Sequence, residues 1–329
     1  MTDTIESAFP DTLAMREFNV SNHLLGDRAA LDAAFERDGY WFFRDVLDKD
    51  AIARCRAVYL EELDKLGVID PSVTDAAVYN GAPLDDYPIK NDGGPDIDPL
   101  LKLYPRDDFV GHPQIKAFFT KLFGEEHFWV PNTEFHAVPP STKHTGSRFK
   151  YIHCEGPNNV GLPLKICWIP LSTIDEETGG LAVAEGSHKP RMNDFVRPRR
   201  GFIDEKVVLA DTWRRTRFEP GDLLMFGLET LHSGLVNRSD QFFRLSMDIR
   251  GMKKSENIPT VDSCAIAINA DDGTQRIFRL NEETYCRIQR YPHSGMPLEL
   301  AEIPQLLKVG NPVYVADDRG NARFIRPQH

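Results

Sequence analysis

The sequence is short of cysteine, of long apolar runs and of positive charge, and each shortage removes a class of protein. Its five cysteines, Cys55, Cys154, Cys167, Cys264 and Cys286, are odd in number and nowhere form a Cys-x-x-Cys pair. That pattern argues against a disulfide framework and a thiolate zinc site, and fits free thiols in a reducing compartment. No apolar run approaches the roughly 18 residues that cross a bilayer, so no membrane partner is expected. Met1 to Pro10 is polar and acidic, without the basic and apolar stretches of a secretory leader, and the expected location is cytoplasmic. A formal net charge of −11 speaks against nucleic acid as a partner, because phosphate backbones are bound by basic surface. The positive charge that does exist gathers between Lys189 and Arg217. Two readings of that stretch stand: attraction of an anionic substrate, or a solvated loop pairing with the chain's own acidic surface.

What is present is the composition of a globular protein, 41% hydrophobic and 27% charged over 329 residues, enough for one large or two ordinary domains. Arg28 to Arg37 reads as a short helix, Asp38-Gly39 as a turn, and Tyr40 to Phe43 as a strand. Asp48 is a candidate N-cap for a helix with Ile52, Cys55, Tyr59 and Leu63 on one stripe, stopped by Gly67. His112 to Phe123 forms another amphipathic helix before Gly124. Between them, 68–105 is rich in proline, aspartate and turn signals, the texture of either a disordered segment or a functional lid. From His127 the chain turns to short strands: Phe128 to Val138, Arg148 to His153, Leu164 to Leu171, Leu181 to Val183, Lys206 to Leu209, Leu223 to Phe226 and Phe242 to Ile249. Such a series suggests a barrel or jelly roll. The expected fold is α+β: a double-stranded β-helix (jelly roll, cupin-like) core at 127–252, backed by the N-terminal helices of 1–126 in the same domain. A β-rich C-terminal extension, 253–329, holds hairpins turning at Asp271-Asp272-Gly273 and Asp318-Arg319-Gly320.

His153-Cys154-Glu155 is the chemically suggestive tripeptide. On an extended strand residues i and i+2 share a face, so the imidazole and the carboxylate would converge with Cys154 turned away. With ten histidines and fifty acids in the chain, one or two His-x-acid coincidences are expected by chance, and this is the only one. A third metal-capable group is offered by His232, just past the apolar run Leu223 to Gly227. Two imidazoles and one carboxylate with open positions opposite suit non-haem iron(II). Arg244 then lies among apolar residues, where a buried guanidinium needs an anionic partner. Asp248 is one such partner; the carboxylate of a cosubstrate is another.

The tripeptide, the distal His232, the following Arg244, Gly179 to His188 between them and the opening Phe35 to Tyr40 together resemble the phytanoyl-CoA dioxygenase family of Fe(II)/2-oxoglutarate oxygenases. The resemblance implies that His153, Glu155 and His232 ligate iron and are the catalytic centre. It implies that Arg244 binds the distal carboxylate of 2-oxoglutarate, with Lys165 and Trp168 as further candidates for the cosubstrate pocket. Tyr151 and His136 are candidates for substrate contact. The implied reaction uses O2 and 2-oxoglutarate to hydroxylate a C–H bond of a small organic molecule, a natural product among the options, with release of succinate and CO2. Desaturation, cyclisation and epoxidation share that iron site, whereas halogenation lacks the acidic ligand. Outside the family stand a non-catalytic jelly-roll binding protein and a cupin-like metalloenzyme without 2-oxoglutarate. A homodimer is also an expectation. Three features depart from the family: Glu155 stands where aspartate is usual, Arg244 lies one residue further from His232, and the segment beyond about Lys253 has no counterpart.

Overall fold

A computed structural model describes residues 15–83, 108–140, 152–155, 164–189, 212–256, 264–269, 275–279, 313–316 and 322–325. Helix α1, Arg28–Asp38, starts where the Asp27 carboxylate accepts the Ala30 amide at 3.0 Å and ends at Gly39, whose φ of 82° is open to glycine. The chain goes straight on into β1, Tyr40–Phe43, buried on both faces. Helix α2, Lys49–Lys65, is capped by Asp48, which accepts the Ala51 amide at 2.8 Å, and it buries Ile52, Cys55, Tyr59 and Leu63 as one stripe. Asp48→Ala is expected to cost about 1 kcal/mol, read as a lower urea midpoint at unchanged slope. Helix α3, Pro113–Phe123, has proline in its first turn and ends at Gly124 with φ 76°, burying Ile115, Phe119, Leu122 and Phe123.

Seven further strands build two sheets: β2, His127–Val138; β3, Lys165–Pro170; β4, Gly180–Ala184; β5, Trp213–Arg214; β6, Leu223–Gly227; β7, His232–Leu235; and β8, Arg244–Lys253. One sheet has the order β1-β6-β3-β8-β2 and the other β5-β4-β7, with antiparallel neighbours throughout. From β2 to β8 the chain passes back and forth between them as a double-stranded β-helix does, giving the jelly-roll α+β fold expected. The alternation of side chains decides which face meets what. On the larger sheet Cys167, Ile169, Met225, Leu245, Met247 and Ile249 face the helices, joining Leu31, Ile52, Tyr59 and Phe119 in one core. The Tyr59 and Phe135 rings stack there at 3.5 Å between centroids, fastening α2 to β2. The opposite face, with Tyr40, Phe42, Ile166, Trp168, Leu224 and Phe226, packs with Leu181, Val183 and Phe218 and forms the interior of the roll.

Two expectations shift. His232 comes just past β6 as expected, but it also begins a strand of its own, β7, because its backbone pairs with Val183 of β4. The stretch after α2 is tied down over its described part: Ile69 bridges Tyr79, Val78 bridges Phe242, and the Tyr79 amide donates to Gln241 O at 2.6 Å. The rest of the expected lid, and the expected strand Lys206 to Leu209, lie outside the described residues. The C-terminal strands β9, Cys264–Asn269, β10, Gln275–Arg279, β11, Val313–Ala316, and β12, Ala322–Ile325, pair as two antiparallel hairpins. A parallel β9–β11 ladder then joins them into one sheet ordered β10-β9-β11-β12. Among the described residues no helix is long and apolar enough to cross a membrane.

Candidate metal centre

The residues 152–155 lie against the start of β7. The His153 amide donates to His232 O at 3.1 Å and the His232 amide donates back to His153 O at 2.9 Å. The Glu155 amide donates to Leu228 O at 2.8 Å, so both ends of the tripeptide are held by backbone. His153 and Glu155 then share a face as their spacing requires. Cys154 is turned the other way into a small apolar cluster with Ala182, Trp213 and Leu231. One ligand atom from each of His153, Glu155 and His232 lies within 4.8 Å of the others, a set able to hold a metal ion. The two imidazole centroids are 4.2 Å apart, and His153 Nε2 is 3.5 Å from Glu155 Oε1.

The protonation states suit that use. His232, only 6% exposed, has its Nδ1 3.0 Å from Thr230 O, which makes Nδ1 the proton carrier and leaves the Nε2 lone pair for a ligand. Burial, followed by the neighbouring His153, pushes the His232 pKa down to about 3, so the ring is neutral. Burial alone would raise the Glu155 pKa. The hydrogen bond from His153 and then the charge of Arg250 prevail, holding the carboxyl well below its ordinary range. A neutral imidazole beside an ionised carboxylate is the donor chemistry that iron(II) and other borderline divalent cations accept. Thr230 is itself fixed, its hydroxyl donating to Gly39 O at 2.8 Å.

The other sequence-nominated residues divide. Along β8, Arg244, Ser246, Asp248 and Arg250 alternate with the core residues Leu245, Met247 and Ile249, so the four polar side chains line the interior of the roll. Arg244 is 5% exposed and donates through Nη1 to Gly180 O at 2.5 Å. Asp248 is not engaged as the sequence allowed but paired with His136, Oδ2 to Nε2 at 3.1 Å, across the β2–β8 ladder. Trp168 pairs across from Asp248 on the same inner face and packs on Phe218 at 4.6 Å. Lys165 departs from the expectation. It lies on the helix side of β3, its Nζ 4.7 Å above the Phe35 ring and 5.8 Å above that of Trp41. Tyr151 lies outside the described residues. Arg250, which the sequence reading passed over, brings Nη2 to 3.6 Å from Glu155 Oε2. Its signal was the period of two counted on from Arg244. Thr230 offered no such signal, since it acts through its carbonyl. Of the basic stretch, Arg214 pairs with Glu185, Arg215 with Glu176 at 2.7 Å and Arg217 with Glu219 at 2.7 Å, which favours pairing with the chain's own acids over substrate attraction for these three.

The sequence model of the family described as phytanoyl-CoA dioxygenase (PhyH) matches residues 35–246. A protein of Streptomyces exfoliatus named 1-deoxypentalenic acid 11-beta-hydroxylase is 30% identical over 243 residues, covering 69% of this chain and 82% of its own length. One of the same name from Streptomyces arenae is 29% identical over 249 residues, with the same shares. Among solved structures, the epimerase SnoN in complex with Fe3+, alpha ketoglutarate and nogalamycin RO has a TM-score of 0.45 at 20% identity, covering 69% of this chain and 85% of that one. EctD from S. alaskensis with 2-oxoglutarate and 5-hydroxyectoine has a TM-score of 0.45 at 17% identity, covering 74% and 84%.

Proposed function

Because the chain belongs to the phytanoyl-CoA dioxygenase family, and is thereby an Fe(II)- and 2-oxoglutarate-dependent dioxygenase, we propose that it hydroxylates a C–H bond of a small organic molecule. The observation that carries the site assignment is the convergence of two imidazoles and one carboxylate within 4.8 Å at the face of a jelly roll. On this reading His153, Glu155 and His232 hold the iron. When bound, iron with 2-oxoglutarate and O2 supplies the oxidising power, the cosubstrate leaving as succinate and CO2. The rest falls to the chain. The triad bears one negative charge, so a divalent ion keeps a net positive charge that favours a dianionic cosubstrate. Arg244, buried at the first position of β8, offers the cosubstrate's distal carboxylate a fork of donors in a setting of low dielectric, and Ser246 stands beside it on the same face. Ile166, Trp168, Leu224 and Phe226 keep the interior apolar, which excludes water from a reactive centre.

For the substrate, both named relatives are hydroxylases of an organic acid, and a molecule of natural-product type is the class we favour. The His136–Asp248 pair gives this interior a polar anchor for it. The reading is tested by adding Fe(II) and then 2-oxoglutarate to the protein without oxygen, and following the weak visible charge-transfer band of the ternary complex. A band is expected in the wild type. In Arg244→Met it should need about 10- to 100-fold more 2-oxoglutarate, the worth of a charged hydrogen-bonded pair. Iron binding without a band would sink the cosubstrate assignment, and failure to bind iron would sink the site. If both bind, succinate release across a panel of small organic acids identifies the substrate.

A further inference from the structure

We propose that Arg250 is a positioning residue that holds Glu155 as a one-oxygen ligand, keeping open the coordination position that O2 must take; this rests on His153, Glu155 and His232 being the iron site. The two oxygens of the Glu155 carboxylate face different partners. Oε1 is the oxygen toward the histidine side, 3.5 Å from His153 Nε2. Oε2 is 3.6 Å from Arg250 Nη2, an ion pair made by the second oxygen. A count of positions shows why the difference matters. Six-coordinate iron with three single-point ligands keeps three positions, two for a chelating 2-oxo acid and one for O2. If Glu155 bound through both oxygens, only two would remain, and the 2-oxo acid and O2 would compete for them.

Glutamate makes this competition acute. Its side chain has one more rotatable bond than the aspartate usual at this place, and so more freedom to bring its second oxygen round. A charge fixed behind Oε2 removes that freedom. Arg250 is suited to the task because β8 lies between two neighbours in the larger sheet, residue 250 being in register with Ile166 on β3 and Val130 on β2. Its side chain is 11% exposed, so the pair is screened little by solvent. Glu155 is placed by its own backbone, its amide donating to Leu228 O at 2.8 Å, which leaves only the end of its side chain to be oriented. Arg250, fixed in the sheet on both sides, therefore orients the flexible end of the Glu155 side chain.

The test compares wild type, Arg250→Met, Arg250→Gln and Arg250→Lys by two readouts that need no substrate. In the anaerobic Fe(II) protein, 2-oxoglutarate is titrated against the charge-transfer band; in the Co(II)-substituted protein, the visible d–d absorption reports coordination number. Arg250→Met is expected to retain metal, to require about tenfold or more 2-oxoglutarate, in line with the loss of an outer partner, and to show a changed Co(II) spectrum. Arg250→Lys, which keeps the charge, should restore much of the wild-type behaviour. If Arg250→Met does not fold, Arg250→Gln decides, since it keeps a polar head in the same place. Titration curves and Co(II) spectra superimposable on wild type would overturn the proposal. So would a fall in metal affinity with an unchanged 2-oxoglutarate requirement, which would make Arg250 a stabiliser of the ligand only. A wild type that gives no band fails at the site itself, which is a different failure.

Discussion

His232→Ala is expected to abolish 2-oxoglutarate turnover, a loss of at least about three orders of magnitude set against the roughly 1–10³ per second at which enzymes ordinarily work. His232 is the most buried member of the triad, and its Nδ1 is committed to Thr230 O, which leaves Nε2 for a ligand. Its removal leaves one imidazole and one carboxylate, too few to hold iron(II) against water. The backbone bridge between residues 153 and 232 does not depend on the imidazole and should persist. The variant is therefore expected to fold, with a modest penalty of about 1–3 kcal/mol for the Thr230 carbonyl left without its donor. Fe(II) titration and thermal melting measure the two effects separately. A folded His232→Ala protein that still consumed 2-oxoglutarate at the wild-type rate would remove His232 from the site.

The largest effect on stability is expected at Gly179. Its φ is +92°, a region where an L residue costs about 1–2 kcal/mol. A Cβ there would also come within 2.6 Å of Val236 O and 2.8 Å of Leu235 O. Those atoms are backbone at the end of β7, so they cannot swing aside without opening the β4–β7 ladder. Gly179→Ala should cost more than about 3 kcal/mol, above the ordinary range for a point substitution. Gly81 is the control: its φ of +85° is nearly the same, but nothing among the described residues lies within 4 Å of a Cβ there. Gly81→Ala should cost only the conformational part, about 1–2 kcal/mol. Urea unfolding of both variants separates the clash from the conformation. Because the next residue's carbonyl receives the Arg244 guanidinium, whatever Gly179→Ala protein folds should also bind 2-oxoglutarate more weakly.

These sites show how far the sequence could be read. Asp48, Gly39 and Gly124 marked helix ends because capping carboxylates and positive φ are local matters, and all three act there as expected. His153 and Glu155 were found by a spacing of two, which is again local. The same rule could have corrected Lys165. Three residues from Trp168 on one strand, it cannot share that side chain's face, and it lies over Phe35 and Trp41 instead. Other features had no local mark. The two residues of β5 are too few to show a period, and the His-Ser-Gly-Leu of β7 carries little strand propensity; pairing with β4 imposes both. The parallel β9–β11 ladder joins segments far apart in sequence. Arg250 could be assigned to a face from sequence, but its approach to Glu155 depends on how the two sheets meet.

The reciprocal amide–carbonyl pair between His153 and His232 also bears on how the protein assembles. It joins points about eighty residues apart, a contact that must wait for a long loop to close and so belongs to the late part of folding. The amides of these two residues are then clocks for completion of the site. In pulse-labelled hydrogen exchange they should gain protection after those of α1 and α2, and a kinetic arrest before that moment would leave a chain with its helices formed and no place for a metal.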